Sequence, residues 1–428
     1  MKFTAKRNLV CAVIAATGLL LAGCAGGASS PVASSGPVTI TLESWTPSQK
    51  VMDNIVAEFE KENPNITVKA TLLPYADYVT AIKTELASGT GPDVFDLQTG
   101  GMLNEFAPLV TPLDKLATSQ LGADWKSAYK KSALDQSSVD GAVYGLPHGF
   151  QPAGLLWVNK TLLDANGIKI PTTMGELVTA SQKLRAAGVV PVAIGAKDDW
   201  MLIDIFSSMS NAIAPGDQYK AMDGKGSWDT PGLVKAFNEF ASMFKTGVAQ
   251  DGAAGAATYT DTYDLYADGK AAFFTNGGWN QDMFVGAADR IGKFDSAVTL
   301  MPTSAGPAPV IAGISALLAV NGKSKNQEAA LKLAQFMSSG PGQQIVMDGS
   351  LDFSVTSTDL VPSVKVSANA STVRTALTAM LKDNLAGYRE VPNAAVKAAL
   401  GQALLKLVAG TIDGAGAAAE VQAAAKAG

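Results

Sequence analysis

In VTITLESW (Val38 to Trp45), rich in β-branched residues, apolar Val38, Ile40 and Leu42 alternate with other side chains, the two-residue period of a strand. The period then lengthens. Val51, Met52, Ile55, Val56 and Phe59 fall on one face at helical spacing, and Pro64 stops that helix. NITVKATLL predicts a second strand, YADYVTAIKTELASG a second helix ended by Gly89, and PDVFDLQ a short buried third strand. Strand, helix, strand, helix, strand is the alternation that builds a parallel-type α/β sheet.

From about Thr161 to Phe284 the pattern is mostly helical, in TTMGELVTASQKLRAAG, TPGLVKAFNEFASMFKTG and YTDTYDLYADG. Short strands, VVPVAIG and AAFF, interrupt it, and a strand pair follows at AVTLMP and ISALLAV. KNQEAALKLAQFMSSG predicts a helix, and the alanine-rich tail from Ala370 reads as helical. Strands that return after a helical block imply a chain that leaves one domain, builds a second and comes back. The length of 428 residues agrees, being too much for one ordinary core.

The first residues have another purpose. Lys2, Lys6 and Arg7 precede an apolar run from Leu9 to Ala22, and LAGC (Leu21 to Cys24) closes it, the layout of a secretory signal. The run is short for a bilayer span, and a cysteine directly after small residues resembles a bacterial lipobox. The expectation is a signal over residues 1–23, lipidation of Cys24, and a Gly/Ser/Ala/Pro tether over residues 24–37. Cleavage removes three basic residues and no acid, carrying the net charge from −5 to about −8. It also removes Cys11, so with Cys24 lipidated no thiol remains for a disulfide, a nucleophile or a thiolate metal site. An acidic body without basic runs argues against nucleic acid as a partner.

Five stretches carry a resemblance across nearly the whole exported chain: FEKENPNITVK, LASGTGPDVFDL, VYGLPHGFQPAGLLWVNKTLLDANGI, GKAAFFTNGGW and SKNQEAALKLAQFMSSGPGQQ. In order and spacing they resemble the extracellular solute-binding proteins of ABC importers, in the carbohydrate-binding family that includes maltose-binding protein. Val158 stands where that family often has tyrosine, and Met174 where it often has tryptophan; both read as packing positions. The resemblance implies an α/β, two-lobed clamp of the periplasmic-binding-protein type II fold, with ligand between lobes joined by hinge crossovers. One lobe is expected at residues 38–146 and 302–345, the other at 147–301 and 346–428, with crossovers near Gly145 to Pro147, near Val298 to Pro302 and after Gly340. It further implies a monomer on the outer face of a bacterial cell membrane, tethered through Cys24 and partnered by permease subunits, with no cofactor.

A sugar stacks its C–H patches on aromatic rings and needs fixed donors and acceptors for its hydroxyls. One ring face covers roughly 100 Å², about 2.5 kcal/mol at ~25 cal/mol/Å². Micromolar binding needs about 8 kcal/mol, so two or three aromatics with several hydrogen bonds suffice. Open α/β sheets bind ligands at the carboxyl ends of their strands. That rule selects Glu43 and Trp45; Gln98, Thr99 and Gly100; Asp199 and Trp200; and Asn276 and Trp279. The expected lobe crossing adds Phe150 and Gln151, beside His148. Gly313 would allow close backbone approach, and Asp352 is a further candidate. Trp279 matches the family's aromatic corner, and the Gly277-Gly278 pair before it supplies backbone freedom that a core tryptophan would not need. These loops hold carboxylates and amides and almost no lysine or arginine, which favours a neutral sugar over phosphate or a dicarboxylate and leaves a cationic amine open. With one histidine, no HExxH and no GxSxG, the usual hydrolase and metalloprotease constellations are absent; a carboxylate pair for glycoside hydrolysis is marked by nothing but stays open.

Overall fold

The computed structural model describes residues 36–285, 291, 293–358 and 360–427. The expected signal, Cys24 and most of the expected tether lie outside the described residues. Val38–Ser44, Ile66–Leu72 and Val94–Leu97 form three parallel neighbours, with Val38–Ser44 in the middle. The sheet is completed by two antiparallel strands from elsewhere in the chain, Leu317–Val320 beside Val94–Leu97 and then Leu146–Pro147. The helix Gln49–Glu62 buries Val51, Met52, Ile55 and Phe59 against it, and Gly89 ends the helix Tyr75–Ser88 in the left-handed region at φ 79°.

The second sheet has four strands in the order Ser296–Leu300, Leu155–Asn159, Ala271–Asn276, Val190–Ala193. AVTLMP and ISALLAV therefore do not pair with each other: the first closes one edge of this sheet and the second belongs to the other sheet. Trp157 and Phe274 pack on one side beneath the helix Ala368–Asp383, and Phe206, Phe237 and Phe240 on the other. Each sheet thus carries its own core, and the chain forms two α/β lobes.

Between the sheets lies a three-stranded one, Leu385–Tyr388, Val310–Ile314 and Phe150–Ala153. Phe150–Ala153 follows a strand of the first sheet and precedes one of the second; Val310–Ile314 makes the return passage. The chain goes over a third time after the helix Pro341–Ser350, which packs on Gln49–Glu62. The tail is not helical throughout: Leu385–Tyr388 interrupts it, and the helices Ala394–Val408 and Gly414–Ala427 then pack on Asp199–Ile213 and Pro231–Lys245.

Candidate functional site

A cleft of about 350 Å³ opens between the lobes. Its wall on the first lobe comes from strand ends: Trp45 follows Val38–Ser44, Tyr75 begins the helix after Ile66–Leu72, and Gln98 follows Val94–Leu97. Opposite stand Trp200, in the first turn of Asp199–Ile213, then Tyr259, and Trp279 after Ala271–Asn276. The rings form an arc across the cleft. Trp45 meets Tyr75 edge-on with centroids 5.4 Å apart, and Tyr75 meets Trp200 at 6.3 Å. Trp200 stacks on Tyr259 at 5.8 Å and lies 6.1 Å from Trp279. Such a run of half-buried rings presents flat apolar surface without closing into a core.

Polar groups complete the wall. Asp282 is exposed to the cleft, and desolvation by the surrounding protein, with the Asp352 carboxylate next in effect, pushes its pKa up to about 7. Asp352 is pushed up to about 6, mainly by burial, although the nearby His148 and Arg374 pull it down; it accepts a hydrogen bond from Gln151 Nε2. Gln98 Oε1 accepts from the Tyr75 hydroxyl at 2.6 Å and from Lys397 Nζ at 3.2 Å. Arg389, buried at the end of Leu385–Tyr388, also reaches the wall. Its Nε and Nη2 each donate to Asp204 at 2.8 Å, and its guanidinium lies 4.7 Å over the Trp279 ring. Burial works against its charge, but Asp204 and Glu390 together hold its pKa above the usual value. The Trp279 indole stands close to the Tyr259 hydroxyl, with its Nε1 buried and lacking a well-aligned acceptor.

Of the residues selected from the sequence, Trp45, Gln98, Trp200, Trp279 and Asp352 line the cleft together. The others lie outside its wall. Glu43 turns away toward Glu85, and burial followed by that second carboxylate raises it to about 7. Thr99 is buried, and Gly100, at φ 71°, leaves room for Glu390 and Val391 of the other lobe. Phe150 packs in the first-lobe core, Gln151 supports Asp352 from behind, and Asp199 rests against Gly401. Asn276 caps the corner before Trp279, accepting from Gly277 N at 2.9 Å and donating to Asn280. Gly313 gives close approach to Gln136 and Arg389, not to the cleft. His148 is buried against Asp96 at 3.2 Å. Trp125, Trp157 and Trp228 are core.

Tyr75, Tyr259 and Arg389 were not selected. The strand-end rule reaches Tyr75 when applied to NITVKATLL, and Arg389 once Leu385–Tyr388 is recognised inside the alanine-rich tail. Tyr259 follows no strand and had no such signal. Arg389 also corrects the expectation that the site holds almost no basic side chain.

The sequence profile of the bacterial extracellular solute-binding proteins matches residues 43–344. The chain belongs to that family. This solute-binding protein is 27% identical over 380 residues to a galactooligosaccharide-binding protein of Bacillus subtilis, covering 85% of this chain and 82% of that one. It is 26% identical over 281 residues to an uncharacterised ABC transporter extracellular-binding protein of Pyrococcus horikoshii, 62% of each chain. A structure solved in work on xylan utilisation by Caldanaerobius polysaccharolyticus superposes with a TM-score of 0.79 at 22% identity, over 90% of this solute-binding protein and 99% of that chain. The fold is the two-lobed periplasmic-binding type, as the sequence led one to expect.

Proposed function

We propose that the protein is the extracytoplasmic receptor of an ABC importer, which closes on a neutral sugar or oligosaccharide and delivers it to membrane permease subunits. The observation that carries this reading is the aromatic arc shared by both lobes, bordered by hydrogen-bonding side chains of both kinds. The lobes of the clamp follow residues 38–146 with 302–345 and residues 147–301 with 346–428, except that Thr303 and Ala308 pack with the second lobe and the helix Pro341–Ser350 stays whole with the first; the three-stranded sheet is the hinge between them. A signal over residues 1–23 and a lipid on Cys24 would hold the clamp at the outer face of the membrane as a monomer. The family and the sugar-binding names among its relatives support the choice of cargo.

One observation favours a second reading. Asp282 and Asp352 line the same cleft, and two carboxyls facing one cleft, one serving as acid and the other ionised, are what a glycoside hydrolase uses. Calorimetric titration with mono-, di- and oligosaccharides, followed by chromatography of the mixtures, separates the two. Binding at a fixed stoichiometry with the sugar recovered intact is expected; product formation would sink the receptor reading. Trp279→Ala is expected to weaken that binding by about 2 kcal/mol or more through lost ring burial, with the fold retained.

A further inference from the structure

Arg389 is held from more sides than packing requires. One edge of its guanidinium is taken by Asp204, which is 3% exposed and takes no part in the cleft wall. One face lies on Trp279. The remaining nitrogen, Nη1, has Glu390 Oε1 at 3.7 Å, beyond hydrogen-bond length, and Arg389 lines the cleft, which leaves the Nη1 N–H groups as the donors a ligand there could use. Asp204 sits one helical turn beyond Trp200 on Asp199–Ile213, so one helix face supplies both an aromatic of the arc and the anchor of the arginine.

The charges close locally. Arg389 and Lys397 meet Asp204 and Glu390, with Lys397 Nζ 2.6 Å from Glu390. The cleft therefore receives directed donors without net positive charge, and the carboxyls of Asp282 and Asp352 line the same cleft. An anionic ligand would find an arginine whose charge is already neutralised and two carboxyls nearby. Neighbouring hydroxyl oxygens of an uncharged ring, stacked beside Trp279, would find fixed N–H groups.

Building on the sugar-receptor reading, we propose that Asp204 is a positioning residue which holds Arg389 as a neutralised donor to adjacent sugar hydroxyls, and that this pair makes the cleft select neutral sugars over sugar acids. The positioning is geometric and electrostatic at once: the carboxylate sets the plane of the fork and cancels its charge.

The test compares affinities for neutral sugars (galactotriose, xylotriose, maltotriose and raffinose) with that for trigalacturonate, by calorimetry. Wild type should bind at least one neutral sugar and discriminate against the uronate. Asp204→Asn should weaken the neutral sugar by about tenfold or more, the loss of a charge-assisted hydrogen bond, and shift the ratio toward the uronate because Arg389 is no longer neutralised. A variant that only loosens the fold weakens both ligands alike, and that outcome overturns the proposal, as does an unchanged ratio. The paired replacement Asp204→Leu with Arg389→Met guards against misfolding, since apolar substitutes for a buried ion pair are commonly tolerated. It should fold, lose the neutral sugar by a similar factor, and show no further change when Trp200 and Trp279 are kept; full affinity in it refutes the role of the pair. A wild type that binds no neutral sugar overturns the receptor reading and this inference together, whereas neutral-sugar binding insensitive to Asp204 and Arg389 overturns only the inference.

Discussion

Asp282, Asp352 and Glu43 share an uncomfortable placement: Asp352 and Glu43 are buried, Asp282 opens only to the cleft, and Asp282 and Glu43 also face another carboxylate. Their folded-state pKa values of about 7, 6 and 7 lie above the ordinary range near 4 that an unfolded chain restores. Between those limits the folded protein binds more protons than the unfolded one, so its stability falls as pH rises. Asp114, Glu176 and Glu390 are shifted the other way, and their contributions are lost only as pH falls below the ordinary range. The ligand-free protein should therefore lose stability from pH 5 to pH 8, and Asp282→Asn combined with Asp352→Asn should flatten the slope. Urea melts at several pH values measure this; a slope of the opposite sign, or one the double variant leaves unchanged, contradicts the placement of the carboxyls.

At the scale of elements, the corner that ends Ala271–Asn276 shows why its two glycines are there. Gly277 has φ −97° and ψ −176°, an extended conformation open to any residue, so backbone freedom is not the reason. A Cβ on Gly277 would stand 2.0 Å from Cζ3 of Trp279, and one on Gly278 2.8 Å from Pro152. Both glycines are demanded by close approach. Gly277→Ala should thus displace the Trp279 ring and raise the sugar Kd by about tenfold or more, with little change in melting temperature because the backbone is unstrained. Tryptophan fluorescence reports the ring and calorimetry the affinity; an unchanged Kd would show that the ring is no platform. The corner also marks how far the sequence could be read. Strand ends were legible because alternation and turn residues are local, and they led to Trp45, Gln98, Trp200 and Trp279. Leu385–Tyr388 was hidden because four half-exposed residues in an alanine-rich tail carry no strand period, and Arg389 went with it. Asn276 sits at a strand end and Gln151 at the lobe crossing, as expected, but both support their neighbours instead of facing the cleft, a distinction that depends on tertiary packing.

For the molecule as a whole, the two lobes also touch away from the cleft wall. Asn104 Nδ2 donates to the Pro392 carbonyl at 2.9 Å, and Gly101 N to that of Val391 at 3.1 Å, joining the helix Gly101–Phe106 of the first lobe to the start of Ala394–Val408, which packs on the second. A ligand held by Trp45 on one side and by Trp200 and Trp279 on the other completes its contacts only when these groups also meet. Bound sugar and interlobe hydrogen bond then favour the same state, and weakening either lowers the population of that state. If only a fraction of the ligand-free protein is competent to bind, the apparent Kd rises as that fraction falls. Asn104→Ala should therefore weaken sugar binding severalfold although Asn104 is not part of the cleft wall, and small-angle scattering should show wild type contracting on saturation with sugar. The ligand should also stabilise the fold, by about 2.7 kcal/mol at a hundredfold excess over Kd. Contraction without any effect of Asn104→Ala would place the closed-state contacts elsewhere, whereas sugar binding with no contraction would mean that this clamp is already shut before its ligand arrives.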